Sequence, residues 1–205
     1  LNHSTKKFNF HEKKPNSLVI NFKEDKSNIF IKNLEIASHV VNDIFNDSNF
    51  PNLNGDLLIN CLESFKMPPG RGEILSLNKF KIIDDSYNAN PESVKAALDH
   101  LSGFQECRKF FVFGDMKELG ANEEILHKKV GQYAVGKTDI LLTVGKLAKN
   151  AQSNSNNFAL SLHFNDNFSL LEKLNELLTD GDIVLIKGSR SMQLDQLINE
   201  LKNVK

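Results

Sequence analysis

The stretch "GQYAVGKT", Gly131 to Thr138, matches the pattern G-x-x-x-x-G-K-[ST] at every fixed position. In that pattern glycine-rich backbone amides and a lysine cradle the phosphates of a nucleotide. The chemistry needs a strand before the loop and a helix after it, so that helix N-terminal amides face the anion. Here the order is reversed. "NEEILHKKVGQYAV" has helical periodicity, and "DILLTVG" after Thr138 reads as a strand. Gly136 suits a helix C-terminal cap, and Lys137 suits the negative end of the helix dipole. The expectation is a helix end leading into a strand, not a nucleotide site.

Other groups have better surroundings. "DDSYNANPES" follows the apolar strand "FKIID" and precedes a helix. Asn90 suits the N-cap, Pro91 the first turn and Glu92 the positive dipole end. Asp84, Asp85, Tyr87 and Asn88 are left over. A carboxylate at such a rim can hold ribose hydroxyls, and a tyrosine ring can lie against a base or ribose. A loop satisfied by its own Asx-turns would look the same. Arg71, between Gly70 and Gly72, is a cation on a joint between segments. It suits either a phosphate ligand or a solvated linker residue.

These residues need a scaffold. Before residue 68, "SLVINF" and "NIFIKNL" alternate as two strands of a small sheet, and Ile36, Val40, Val41, Ile44 and Phe45 share a helical face. A second helix is expected over Leu57 to Phe65. The prolines and glycines of "KMPPGRGE" then break the pattern, giving segments 1–68 and 69–205. After the break, apolar strands alternate with amphipathic helices. A strand pair around Asn78 and Lys79 leads to helices near 91–102, 122–135, 146–152, 167–178 and 191–203. Strands fall at "KFFVFG", "DILLTVG", 159–162 and "DIVLIKG". The pattern predicts an α/β, Rossmann-like fold: a mostly parallel sheet with helices on both faces. Ligands bind at the carboxyl ends of such strands. Those ends carry "DDSYNANPES", "GDMKELG", "GKLAK" and "KGSRS".

Bulk properties add exclusions. A net charge of −1 over 205 residues offers no electrostatic case for nucleic acid or an anionic membrane surface. Cys61 and Cys107 lack metal or redox spacing, and the six histidines form no metal pattern. The expectation is two reduced thiols in a cytoplasmic protein. His127 reads as a surface or helix-packing histidine, with an approach to the cleft as the alternative, and Phe110, Phe111 and Phe113 as the core of a buried strand. No apolar run approaches a membrane span, and the polar start, opening on Leu1, has no signal-peptide centre.

"PPGRGE", "IIDDSYNANPESVKAAL", "FVFGDMKELG" and "VLIKGSRSMQLDQLINEL" resemble, in order and spacing, the C-terminal half of the Mur ligases, and most of all the branch that adds D-alanyl-D-alanine. The resemblance implies an ATP-dependent amide ligase. It would form an acyl-phosphate on UDP-N-acetylmuramoyl-tripeptide, with magnesium at the phosphates. Matching motifs imply that Arg71 meets ATP phosphate and Asp85 the ribose, with Tyr87, Asn88 and Asn90 lining the loop. Lys187, Ser189 and Arg190 would take the dipeptide carboxylate, and Asp115 the incoming amine. "ASHVVNDIF" resembles the end of the family's central domain, which makes Asn42 a further ATP contact.

The family's own phosphate loop, a "GTNGKT"-like segment, its magnesium ligands and its UDP-sugar domain find no counterpart in this sequence. Segment 1–68 would be the tail of the central domain and 69–205 the C-terminal domain. The catalytic residues would lie in the missing parts, supplied in cis or in trans, and this chain alone would not turn over ATP. Two alternatives stand beside this reading. One is a folate-polyglutamate-type ligase of the same superfamily. The other is a non-catalytic split or decayed module that binds a partner.

Overall fold

The computed structural model describes residues 68–77 and 79–203, the strands 4–9 and 17–22, and single helical positions at 33, 34, 36, 37, 40, 60 and 64. The chain divides into two compact units, Leu1–Lys66 and Met67–Lys205. In the first, β1 (Ser4–Asn9) pairs antiparallel with β2 (Ser17–Phe22). "SLVINF" is thus a strand, but its partner comes from the polar N-terminal stretch. "NIFIKNL" was expected to pair with it; residues 28–32 lie outside the described residues, Asn33 is helical, and Leu34 is helical as expected. Leu34 is buried, whereas Ile36 and Val40, expected on the buried helical face, are exposed. Val41, Asn42, Ile44 and Phe45 lie outside the described residues.

The second unit holds a six-stranded sheet in the order β3-β4-β8-β5-β6-β7. The strands are β3 (Glu73–Ser76), β4 (Lys81–Asp85), β5 (Lys109–Gly114), β6 (Ile140–Val144), β7 (Leu160–Phe164) and β8 (Ile183–Lys187). β3 pairs antiparallel with β4, as the turn at Asn78 and Lys79 predicts, and every other pairing is parallel. The helices are α1 (Pro91–Ser102), α2 (Glu123–Ala134), α3 (Asn167–Leu177) and α4 (Leu194–Asn203).

Strand alternation sends side chains to two separate cores. Ile83, Phe111, Phe113, Leu141 and Leu185 pack with Val94 and Leu98 of α1 and Val130 of α2. Ile82, Phe110, Val112, Leu142 and Ile186 pack with Leu170 and Leu174 of α3 and Leu197 and Leu201 of α4. Central strands buried on both faces explain the near-continuous apolar text of "FFVF" and "IVLI". The α/β, Rossmann-like prediction therefore holds for this unit.

One predicted helix differs. Residues 146–152 were expected to be α-helical, but Ala148–Asn157 forms kinked 3₁₀ turns. α2 packs directly on them, and a Cβ on Gly131 would overlap the Ala151 carbonyl oxygen. This close approach accounts for Gly131 without any phosphate. The rest of "GQYAVGKT" follows the bland expectation. α2 ends at Ala134, Gly136 takes φ +75°, and Lys137 N donates to Ala134 O. Lys137 Nζ pairs with Asp99 at 2.8 Å, and Thr138 Oγ1 donates to Lys109 O at 2.7 Å, at the amino end of the parallel strands.

Candidate functional site

The chain visits β4, β5, β6 and β7 before β8 returns to slot between β4 and β5. The carboxyl ends of β4, β8 and β5 therefore meet where the strand order reverses, the place where open α/β sheets form ligand crevices. "DDSYNANPES", "KGSRS" and "GDMKELG" are neighbours in space for this reason, with "GKLAK" next along.

The β4 loop is built mostly by its own backbone demands. Asp84 is buried, and its Oδ1 accepts from Ser86 N at 3.2 Å and Ser86 Oγ at 2.6 Å. It is an Asx-turn residue and leaves the ligand set. Asn90 and Ser93 form a reciprocal capping box at 2.8 and 3.1 Å, opening α1. The "PPGRG" turn is fastened to this loop: Tyr87 N donates to Gly70 O at 3.0 Å, and Gly72 N to Asp84 O at 2.7 Å. Gly70 is required there, since it has φ +76° and an added Cβ would come within 3.0 Å of Tyr87 N. Arg71 thus belongs to the second unit on a fixed turn, not to a loose joint. Its guanidinium stacks over the exposed Tyr87 ring at 4.1 Å from the centroid.

An open cleft of about 310 Å³ is lined by Pro69, Gly70, Asp84, Ser86, Tyr87, Arg190 and Asp195. It brings Tyr87 of the expected nucleotide set together with Arg190 of the expected dipeptide set. Arg190 is exposed and held by Asp195 at 2.9 Å.

Lys187 is not available to a dipeptide. It is the last residue of β8, its side chain only 2% exposed, and parallel register sets it opposite Asp85. Its Nζ reaches Asp85 Oδ2 at 2.6 Å and donates to Asn88 O at 3.0 Å. Burial pushes the Asp85 carboxyl above the ordinary carboxylate range, against the opposing pull of Lys187. Asn88 turns its own Oδ1 onto Ala89 N.

Asp115 is likewise occupied. Its carboxylate is buried, with Oδ1 accepting from Leu147 N and Ala148 N at 2.8 Å each and Oδ2 meeting Lys117 Nζ at 2.9 Å. Its backbone carbonyl accepts from Ser189 N at 2.9 Å, and Ser189 Oγ accepts from Lys117 N at 2.8 Å. Instead of facing an incoming amine, Asp115 ties the loops after β5, β6 and β8 to one another. Gly145 makes room for it, because a Cβ there would lie 2.6 Å from Asp115 Oδ1. Lys117 is the member that sequence reasoning missed; nothing in its spacing marks it. His127 is buried and packs as expected. Its Nε2 accepts from Met116 N at 2.8 Å and its Nδ1–H donates to Glu123 O at 2.6 Å, so burial lowers its proton affinity.

Fold and rim together define the class: a doubly wound α/β domain with an open cleft at its switch point. The chain belongs to the Mur ligase family, since the family described as "Mur ligase, glutamate ligase domain" matches residues 70–190. The UDP-N-acetylmuramoyl-tripeptide–D-alanyl-D-alanine ligase of Bacillus subtilis (strain 168) is 35% identical over 149 residues, covering 68% of this chain and 32% of its own. The chain thus spans about a third of the length of the curated relatives it matches. A MurF ligase from Thermotoga maritima, solved in complex with ADP, shares the fold with a TM-score of 0.76 at 22% identity, covering 91% of this chain and 41% of that one. A folylpolyglutamate synthase from the same organism shares it less closely, with a TM-score of 0.60 at 16% identity over 93% and 44%.

Proposed function

We propose that this chain is the C-terminal part of an ATP-dependent amide ligase that joins D-alanyl-D-alanine to UDP-N-acetylmuramoyl-tripeptide in peptidoglycan precursor synthesis. The observation that carries the proposal is the switch-point cleft. Tyr87, with Arg71 stacked on its ring, lines the cleft together with Arg190, and Asp85 ends the strand that leads into the same loop, in a chain 35% identical to a ligase of that name. Segment 69–205 is the C-terminal domain in this reading, and 1–68 the tail of the central domain that carries Asn42.

In the reaction, a carboxylate oxygen of the tripeptide attacks the terminal phosphorus of ATP and ADP leaves. The neutral dipeptide amine then attacks the acyl carbon, the new C–N bond forms, the acyl C–O bond breaks with its electron pair going to the departing phosphate, and the phosphate carries away the amine's proton. This chain's residues bind and orient. Arg71, preset by its stack on Tyr87, offers two N–H groups to a phosphate. Asp85 has Oδ1 left to accept from a ribose hydroxyl, and Asn88 and Asn90 border the same loop. Arg190 lies exposed at the rim where a dipeptide carboxylate fits, and Ser189, buried and bonded to Lys117 N, holds that rim in shape together with Asp115. Among the described residues no group of three or more His, Cys, Asp or Glu side chains could hold a metal. Magnesium would be held mainly by residues of the central domain upstream of this segment. The substrates belong to the cytoplasm. No helix among the described residues is long and apolar enough to cross a membrane.

The glutamate-adding alternative has less support, because relatives above 30% identity carry the dipeptide ligase name. A chimera separates the readings. Residues 67–205 replace the corresponding third of the Bacillus subtilis relative, and ADP formation is followed with each acceptor and amine. The proposal expects turnover that depends on UDP-N-acetylmuramoyl-tripeptide and D-alanyl-D-alanine. Turnover with glutamate instead, or none from a folded chimera, refutes it.

A further inference from the structure

Lys187 has no place among groups that contact the dipeptide, yet a lysine 2% exposed at the end of a central strand needs a reason. A buried ammonium is tolerated only with partners, and this one has two, both in the β4 loop. Asp85 Oδ2 lies at 2.6 Å and the Asn88 carbonyl at 3.0 Å. The contact is long-range in sequence and short-range in register, since Asp85 and Lys187 face each other across the β4–β8 ladder.

We infer that Lys187 is a positioning residue that sets the nucleotide specificity of the rim. It clamps one oxygen of Asp85 and the Asn88 backbone, so that the other oxygen, Oδ1, points a fixed acceptor at a ribose hydroxyl. The inference rests on the nucleotide reading of this edge and adds to it a residue that never touches the nucleotide. Asp85 alone would lack this aim. Its side chain is 21% exposed and borders a loop whose other anchors hold Asp84, through Ser86, or the backbone, through Asn90 and the Gly70 turn, and not the Asp85 carboxylate. Lys187 also pulls the carboxyl toward its ionised form against the burial that favours the acid, and an ionised acceptor is the stronger partner for a hydroxyl.

The test is a titration of the 205-residue chain with ATP and with 2′,3′-dideoxy-ATP, followed by NMR, in wild type and Lys187→Met. The expected result is about a ten-fold preference of wild type for ATP, the size of one charge-assisted hydrogen bond. In Lys187→Met that preference falls to about one, while affinity for dideoxy-ATP stays within about two-fold. A variant that keeps the preference, or weakens both nucleotides equally, overturns the inference. Equal binding of both nucleotides by wild type overturns it while leaving nucleotide binding in place. Binding of neither by wild type overturns it together with the nucleotide reading. Should Lys187→Met fail to fold, Lys187→Gln, which retains a donor for Asp85 without the charge, carries the same comparison; there the preference falls part of the way.

Discussion

Replacing Asp115 by alanine separates two roles that predict opposite results. If its carboxylate ties three loops together, the variant loses folding stability. If it waits for an amine, the variant loses only activity. Two buried backbone donors, Leu147 N and Ala148 N, would be orphaned at about 1–3 kcal/mol each. The Lys117 pair adds little, because that side chain is 46% exposed and exposed pairs contribute about 0–1 kcal/mol. The expected loss is about 2–7 kcal/mol. Asp115→Asn, which keeps an acceptor for the backbone donors but loses the charge, should lose about 1–2 kcal/mol. Urea unfolding followed by tyrosine emission reads the right part of the molecule. The two tyrosines, Tyr87 and Tyr133, both lie in the second unit, and there is no tryptophan. A loss below about 1 kcal/mol for Asp115→Ala would refute the loop-tying account and restore the amine contact.

Two further outcomes follow from packing and burial. Gly131→Ala forces a Cβ into the Ala151 carbonyl, so it should destabilise the second unit by about 2 kcal/mol or more and leave ATP-induced NMR shifts unchanged; urea unfolding and a nucleotide titration check both. Burial holds the His127 imidazole below its ordinary value, with Asp115 and Glu123 pulling upward and Lys117 downward. The neutral ring's stability is then fully present above about pH 6.5 and lost as pH falls through the depressed folded value. His163, also lowered by burial, acts in the same direction. The difference between wild type and His127→Gln in urea midpoints from pH 7.5 to 5 isolates the His127 part, and a flat difference would contradict it.

The second unit was legible because its signals are strong and local. "FFVF" and "IVLI" are apolar on both faces, Asn90-Pro91-Glu92 marks a helix start, and the switch from strand to helix recurs at each connection. Residues 146–152 were misjudged because composition does not report that α2 presses a glycine against their backbone. β1 was missed because its polar text, "STKKFN", carries little alternation of its own. At the site, residue types indicated the right loops but not what each side chain does. Lys187 and Asp115 carry the charges of ligand-binding groups, yet both are buried and partnered within the protein. Those partners come from register and from the order in which β8 joins the sheet, information that no short motif holds.

The central claim is that the nucleotide belongs to the β4–β8 edge and not to "GQYAVGKT". Residue-by-residue amide shifts of the 205-residue chain, titrated with ATP to millimolar concentration, test it most directly, because NMR registers even weak binding. The account predicts saturable shifts confined to 69–72, 84–90 and 187–195, absent in Arg71→Ala. Shifts centred on 131–138, or none at all, would contradict it.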